Sequence, residues 1–242
     1  MRLIARLDIK NDYLMKSVKY DGVRKIGDIL SYAEKYYRNK IDELIITNVT
    51  GSLYETKLDE KIINHIRQKI HIPIACGGGI QSLKDAETLL ENGADKIIIN
   101  SIIHQDINII KDIIKHIGSS SVVGSIQYTS GKSFNTHYRM GREFTGLNLR
   151  NTIKKYNEIG VGEILLTNIS KEGTFSGLDR EVISILEEFK YIPILHGGGF
   201  SSSEELSFFA DKVSAIVISS ALHYNKANIK DLILKKNGKI SE

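Results

Sequence analysis

The sequence is short of several things. It has one cysteine, two prolines and no apolar run near the roughly 18 residues that a membrane-spanning helix needs. A single cysteine, Cys76, excludes an intramolecular disulfide framework and fits a reducing cytoplasm. The first residues, Met1-Arg2-Leu3-Ile4-Ala5-Arg6, carry arginine where a signal peptide needs an apolar core, so neither export nor a membrane is expected. There is no polybasic block. Lysine and arginine total 33 against 29 acids, a formal charge of +4 spread along helical faces. Nucleic acid is therefore not favoured as a partner, whereas an anionic small molecule is. No metal and no cofactor are expected.

Both prolines fall in one stretch written twice. Ile72-Pro73-Ile74-Ala75-Cys76-Gly77-Gly78-Gly79-Ile80 returns as Ile192-Pro193-Ile194-Leu195-His196-Gly197-Gly198-Gly199-Phe200. Each copy is an apolar run entered by proline and left by three glycines, which reads as a buried strand running into a loop of close backbone approach. Glycine N–H groups at a helix start make an anion cradle, and two cradles imply a ligand with two phosphates. The alternative is that the glycines only make tight turns.

The remainder alternates short apolar strands with amphipathic stretches. Strands are predicted at 2–8, 42–48, 72–77, 95–100, 121–127, 162–168, 192–197 and 214–219. Helices are predicted near 26–38, 58–69, 82–91, 106–117, 148–159, 179–189, 202–209 and 226–235. Runs such as Leu44-Ile45-Ile46 and Ile97-Ile98-Ile99 suit strands buried on both faces of a parallel sheet. With 242 residues, this pattern predicts an α/β fold, a single (β/α)8 TIM barrel over 1–242. An open doubly wound sheet is the weaker alternative, because the chain repeats itself. Residues 42–48 align with 162–168, and 97–101 with 216–220, so two similar half-barrels are expected at about 1–119 and 120–242. Longer loops follow strand 1 (9–25) and strand 5 (128–146), where function is expected. Lys235 to Glu242 read as a frayed polar tail.

A barrel places its site at the C-terminal strand ends. These carry Asp8, Asn48, Gly77 to Gly79, Asn100, Ser101, Gln127, Asn168, Ser170, Glu172, Gly197 to Gly199, Ser219 and Ser220. Gly78 and Gly79 with Asn100 and Ser101 can share one phosphate. Gly198 and Gly199 with Ser219 and Ser220 can share another. Asp8 follows an apolar approach, and burial there is expected to raise its pKa toward general acid/base use. It reads equally as a structural carboxylate paired with Lys10 or Lys16. At the strand starts, Arg2, Glu43, Lys96 and Glu163 are two cations and two anions. They read either as a closed ring of salt bridges or as ordinary surface charges.

Leu7-Asp8-Ile9-Lys10, Ile41-Asp42-Glu43-Leu44, Gly77-Gly78-Gly79-Ile80, Gly93-Ala94-Asp95-Lys96, Gly162-Glu163-Ile164-Leu165-Leu166-Thr167 and Gly198-Gly199 together resemble the HisF family. HisF is the cyclase subunit of imidazole glycerol phosphate synthase. The resemblance spans roughly residues 2–225. It implies a phosphorylated small-molecule ligand and a HisH-like glutaminase docked as a heterodimer on the N-terminal barrel face. It further implies ammonia passing down the barrel axis through a gate of Arg2, Glu43, Lys96 and Glu163, and a catalytic role for Asp8.

Departures lie at the chemistry. Gln127 stands where the family's second catalytic aspartate ends strand 5, and an amide is no general acid or base. Asn48 replaces a usual aspartate. The strand 6 loop around Glu172, Gly173 and Thr174, and the strand 1 loop around Lys16, also differ. The chain looks more like HisF paralogs found beside surface-polysaccharide genes. That resemblance implies ammonia supply for amidation of a sugar, with a sugar amidotransferase as a further partner. A true cyclase of histidine biosynthesis and a non-catalytic phosphate-binding scaffold are the alternatives.

Overall fold

The computed structural model describes residues 1–238. Eight parallel strands close on themselves: β1 (Arg2–Lys10), β4 (Glu43–Asn48), β5 (Ile74–Gly77), β6 (Lys96–Ile99), β7 (Val122–Tyr128), β10 (Glu163–Asn168), β11 (Ile194–Gly197) and β12 (Ala215–Ile218). The pairing of β12 with β1 and of β7 with β10 completes the cylinder, so the fold is a (β/α)8 barrel and the open sheet is ruled out.

Alternation along each strand separates two apolar layers. On β1, Leu3, Ala5, Leu7 and Ile9 belong to the large layer between sheet and helices. Ile4 points the other way, into a cluster with Ile45, Ala75, Ile98, Val123, Leu165, Leu195, Ala215 and Val217 that fills the barrel interior. By the same alternation Arg2, Arg6 and Asp8 share the inner side with Ile4.

Helices follow the strands and start on side-chain caps. Asp28 accepts from Ser31 N at 2.7 Å before α1 (Ile29–Arg38). Asn148 accepts from Asn151 N at 2.9 Å before α7 (Leu149–Ile159), which Gly160 ends in the left-handed conformation. The two prolines sit just before β5 and β11, so those strands begin two residues later than expected. Their carbonyls play the same part in each half: Pro73 O accepts from Leu44 N at 3.0 Å, and Pro193 O from Ile164 N at 2.9 Å.

Both long segments, for which the sequence predicts loops, are β-hairpins. β2 (Tyr13–Val18) and β3 (Asp21–Asp28) extend β1, and β8 (Asn135–Tyr138) and β9 (Glu143–Asn148) extend β7. The first helix therefore starts at Ile29, since Ile26 to Asp28 pair in β3. The stretch near 179–189 holds only a short helix, α8 (Ile183–Leu186), and a 3-10 turn (Glu187–Phe189). The last helix, α11 (Ile229–Lys236), takes in Lys235 and Lys236 of the expected tail, and residues 239–242 lie outside the described part. Among the described residues no helix is long and apolar enough to cross a membrane.

Two buried histidines and the half-buried His104 have depressed pKa values, each mainly by loss of hydration: His104 and His196 at about 4 and His223 at about 3. An imidazole whose folded pKa lies below its unfolded value near 6.5 contributes stability that is complete above that pH and is lost as pH falls toward the folded pKa. His196 alone accounts for on the order of 2–3 kcal/mol by this linkage. The thermal midpoint should therefore rise from pH 4 to 6.5. The rise should be smaller in His196→Gln, measured by calorimetry at both pH values.

Candidate functional site

The two ends of the barrel interior both carry charge. At the N-terminal end the four expected residues close a ring. Arg2 Nη1 lies 2.5 Å from Glu43 Oε2, and Arg2 Nη2 lies 2.7 Å from Glu163 Oε1. Lys96 Nζ is 2.9 Å from Glu163 Oε2 and 3.6 Å from Glu43 Oε1. Glu43 is the most buried member, at 1% side-chain exposure. Burial pushes its carboxyl up, against the pull of Arg2 and Lys96.

At the C-terminal end a second set of charges converges. Asp8 Oδ1 accepts from Arg6 Nε and from Thr47 Oγ1, both at 2.8 Å, and Oδ2 accepts from Lys16 Nζ at 3.2 Å. Lys16 also pairs with Glu172. Arg6 Nη1 donates to Thr167 Oγ1 at 3.1 Å and to Tyr20 OH at 3.4 Å. Arg6, Asp8, Lys16 and Glu172 are all buried. Lys16 arrives on the β2–β3 hairpin, which is fastened to the loop after β10. Lys19 N donates to Glu172 O at 2.8 Å, and a Cβ on Gly173 (φ +74°) would lie 2.6 Å from Ser17 O.

This corrects the expectation for Asp8. Burial alone would raise its pKa, but Arg6 and Lys16 outweigh it and hold the carboxyl well below the usual carboxylate range. Asp8 is ionised at neutral pH, is paired with Arg6 and Lys16, and lines neither cavity described below. Register puts Gln127 in the equivalent place of the other half: Asp8 faces Thr47 across β1–β4, and Gln127 faces Thr167 across β7–β10. Gln127 Oε1 accepts from Gly141 N at 2.8 Å, tying β7 to the turn of its own hairpin.

The glycine-rich ends line two cavities. One, of about 130 Å³, is bordered by Gly78, Gly79, Asn100, Ser101, Gln127, Arg139 and Arg6. The other, of about 20 Å³, is bordered by Gly198, Gly199, Ser219, Ser220, Glu172, Gly173 and again Arg6. The glycines are required by packing. A Cβ on Gly78 (φ +106°) would lie 2.5 Å from Asn48 O, and one on Gly198 (φ +96°) 2.7 Å from Asn168 O. Asn48 lines the larger cavity with its amide already spent: Oδ1 accepts from Thr50 N and Nδ2 donates to Thr56 O, both at 3.2 Å. Asn168 likewise donates to Asp179 Oδ2 at 2.6 Å. Thr174 turns its hydroxyl to Lys171 O at 2.7 Å and lines neither cavity.

The serines differ too. Tyr36 OH meets His223 Nδ1 at 2.6 Å, His223 Nε2 meets Ser219 Oγ at 3.1 Å, and Ser219 Oγ donates to Arg6 O at 3.2 Å. That last bond fixes the order of donation, so the Ser219 hydrogen is committed and His223 carries its proton on Nε2. Ser220 Oγ is buried with no hydrogen-bond partner among the described residues.

A family model described as "Histidine biosynthesis protein" matches residues 2–228. The chain is 38% identical to the imidazole glycerol phosphate synthase subunit HisF of Legionella pneumophila over 86% of this chain and 99% of that one. It is 35% identical to the HisF subunit of Flavobacterium johnsoniae and 32% identical to that of Pyrococcus furiosus, each over 98% of this chain and 96% of the other. The chain belongs to the HisF family. Its barrel is thus a HisF barrel with a mouth built around four buried charges. Arg6, Thr47, Thr167, Tyr20 and Arg139 were missed from sequence. Arg6 had a signal, since the alternation that turns Asp8 inward turns Arg6 inward as well.

Removing one member of a buried ion network leaves another charge unpaired, which typically costs about 3–5 kcal/mol. Glu172→Ala should lower unfolding stability by an amount of that order. Glu34→Ala, which breaks solvent-screened pairs with Arg38 and Lys69, should change stability far less. Urea denaturation of both variants checks the contrast.

Proposed function

We propose that this HisF-family chain is the ammonia-conducting subunit of a glutamine-dependent amidotransferase. A HisH-like glutaminase docks on the N-terminal barrel face, and the Arg2–Glu43–Lys96–Glu163 ring gates the entrance. The observation that carries the reading is the contrast between the two ends. The ring is closed by four ion pairs, while the mouth has no acid/base couple, because Asp8 is locked in salt bridges and Gln127 is an amide. Between them lies the interior cluster of nine apolar side chains. The ammonia acceptor is a sugar destined for a surface glycan, handled by a separate sugar amidotransferase. Support for that acceptor is the likeness to HisF paralogs of polysaccharide gene clusters.

A second reading, a cyclase of histidine biosynthesis, is favoured by the names of the relatives and by the lengths over which they match. In it Gln127 only hydrogen bonds and Asp8 would have to leave its pairs. Complementation of a histidine auxotroph lacking HisF separates the two. The expected result is no growth without histidine, and growth would sink the first reading. Because Asp8 is held by Arg6 and Lys16, Gln127→Asp alone should not confer cyclase activity either.

The gate has its own test. In the reconstituted complex, Lys96→Ala or Glu163→Ala should lower glutamine-dependent transfer about tenfold, roughly 1.4 kcal/mol of coupling. Transfer from added ammonium salt should persist, because that ammonia need not cross the ring. Equal loss with both nitrogen sources would contradict the gate.

A further inference from the structure

We propose that Arg6 is a specificity-determining residue that divides the barrel mouth. It restricts the occupant to a small ligand with one anionic end, held in the Gly78–Gly79 cavity against the Arg6 guanidinium. The proposal deepens the reading of the mouth as a ligand site and is independent of the glutaminase partnership.

Arg6 is the one side chain, among the described residues, that borders both cavities and carries a charge fixed from three sides. Nε is held by Asp8, and Nη1 by Thr167 and Tyr20. Nη2 makes no hydrogen bond among the described residues, so one donor edge of the fork remains for a ligand. A ligand reaching from Gly78 to Gly198 would have to turn the guanidinium aside and strip Asp8 of its shortest charged partner.

The sizes of the cavities agree with a partition. About 20 Å³ beside Gly198 and Gly199 is room for roughly one water, while about 130 Å³ beside Gly78 and Gly79 admits a larger group. Arg139 also borders the larger cavity, but its Nη1 is paired with Glu143 Oε1 at 3.0 Å, so the attraction for an anion rests on the unpaired edge of Arg6. Gln127 adds a neutral amide whose oxygen accepts from Gly141 N and whose nitrogen makes no hydrogen bond among the described residues. The sequence suggested two cradles for the two ends of one bisphosphate. The structure gives them different sizes, one roomy and one small, with Arg6 on the border of both.

The test is calorimetric titration of the full chain with ribose 5-phosphate and with ribulose 1,5-bisphosphate. Wild type, Arg6→Lys and Arg6→Ala are compared. Wild type should bind the two compounds with dissociation constants within about threefold, because the second phosphate finds no room. Arg6→Ala should bind ribose 5-phosphate at least about tenfold more weakly and prefer the bisphosphate by about tenfold, since the cavities then join. Arg6→Lys keeps a cation beside Asp8 and so guards against a folding failure. It should weaken the monophosphate by about threefold or more, because ammonium lacks the planar fork. A wild type that prefers the bisphosphate tenfold overturns the partition. So does an Arg6→Lys protein that binds ribose 5-phosphate like wild type. Binding of neither compound by a chain that still stimulates its glutaminase overturns the Arg6 proposal and leaves the channel reading standing.

Discussion

Arg6, Asp8, Lys16 and Glu172 form one buried network, and none of the four can be taken from the others without leaving a charge in a medium that solvates it poorly. Much of the upper face follows from that. Lys16 must reach inward, so the β2–β3 hairpin has to fold over the mouth rather than stand in solvent. Glu172 must meet it, so the loop after β10 lies under the hairpin, and Gly173 is needed where the two backbones touch. Two cations and two anions leave the network neutral. It therefore adds rigidity without a strong local potential, and anion attraction falls to the unpaired edge of Arg6.

The internal repeat shows what each half kept. Proline carbonyls, glycine turns, the threonine pair Thr47 and Thr167, and the hairpin after the first strand of each half recur in register. Charge does not. In the first half the inward position beyond the apolar layer is Asp8, with Arg6 below it on the same strand. In the second half register pairs Ser125 with Leu165 and Gln127 with Thr167, so both inward residues are neutral. On the two equivalent strands, β1 supplies fixed charge through Arg6 and Asp8, and β7 supplies a hydroxyl and an amide through Ser125 and Gln127. The two cavities consequently differ, although the glycine motifs that border them are nearly the same.

The strands and the barrel were legible because burial on both faces leaves a direct mark, continuous Ile, Leu and Val between glycines. The ring was legible as two cations and two anions at strand starts, although spacing alone could not separate it from surface charge. The hairpins were not legible. Residues 13–28 mix Lys, Asp, Tyr and Gly with irregular alternation, and the register shifts near Leu14/Met15 and Lys16/Val18 blur any period of two. The state of Asp8 was misread for a definite reason. Its apolar flanks suggested desolvation, and desolvation does act, yet the residue two positions back and one eight positions ahead fold onto it and reverse the sign. Sequence shows what surrounds a residue along the chain. The pKa depends on what surrounds it in space.

The axis of the barrel sets a further constraint. From bottom to top it passes a neutral ring of ion pairs, the apolar layer that includes Ile4, Ile45, Ala75, Ile98, Val123, Leu165 and Leu195, and then the hydroxyls of Thr47 and Thr167 beneath the buried network. An ammonium ion entering the apolar layer would lose its hydration with no carboxylate within that layer to replace it, a cost of several kcal/mol or more. Neutral ammonia loses only weak hydrogen bonds, and at the top it meets hydroxyl oxygens. Such a succession of layers would favour ammonia over ammonium by charge alone, without a dedicated filter.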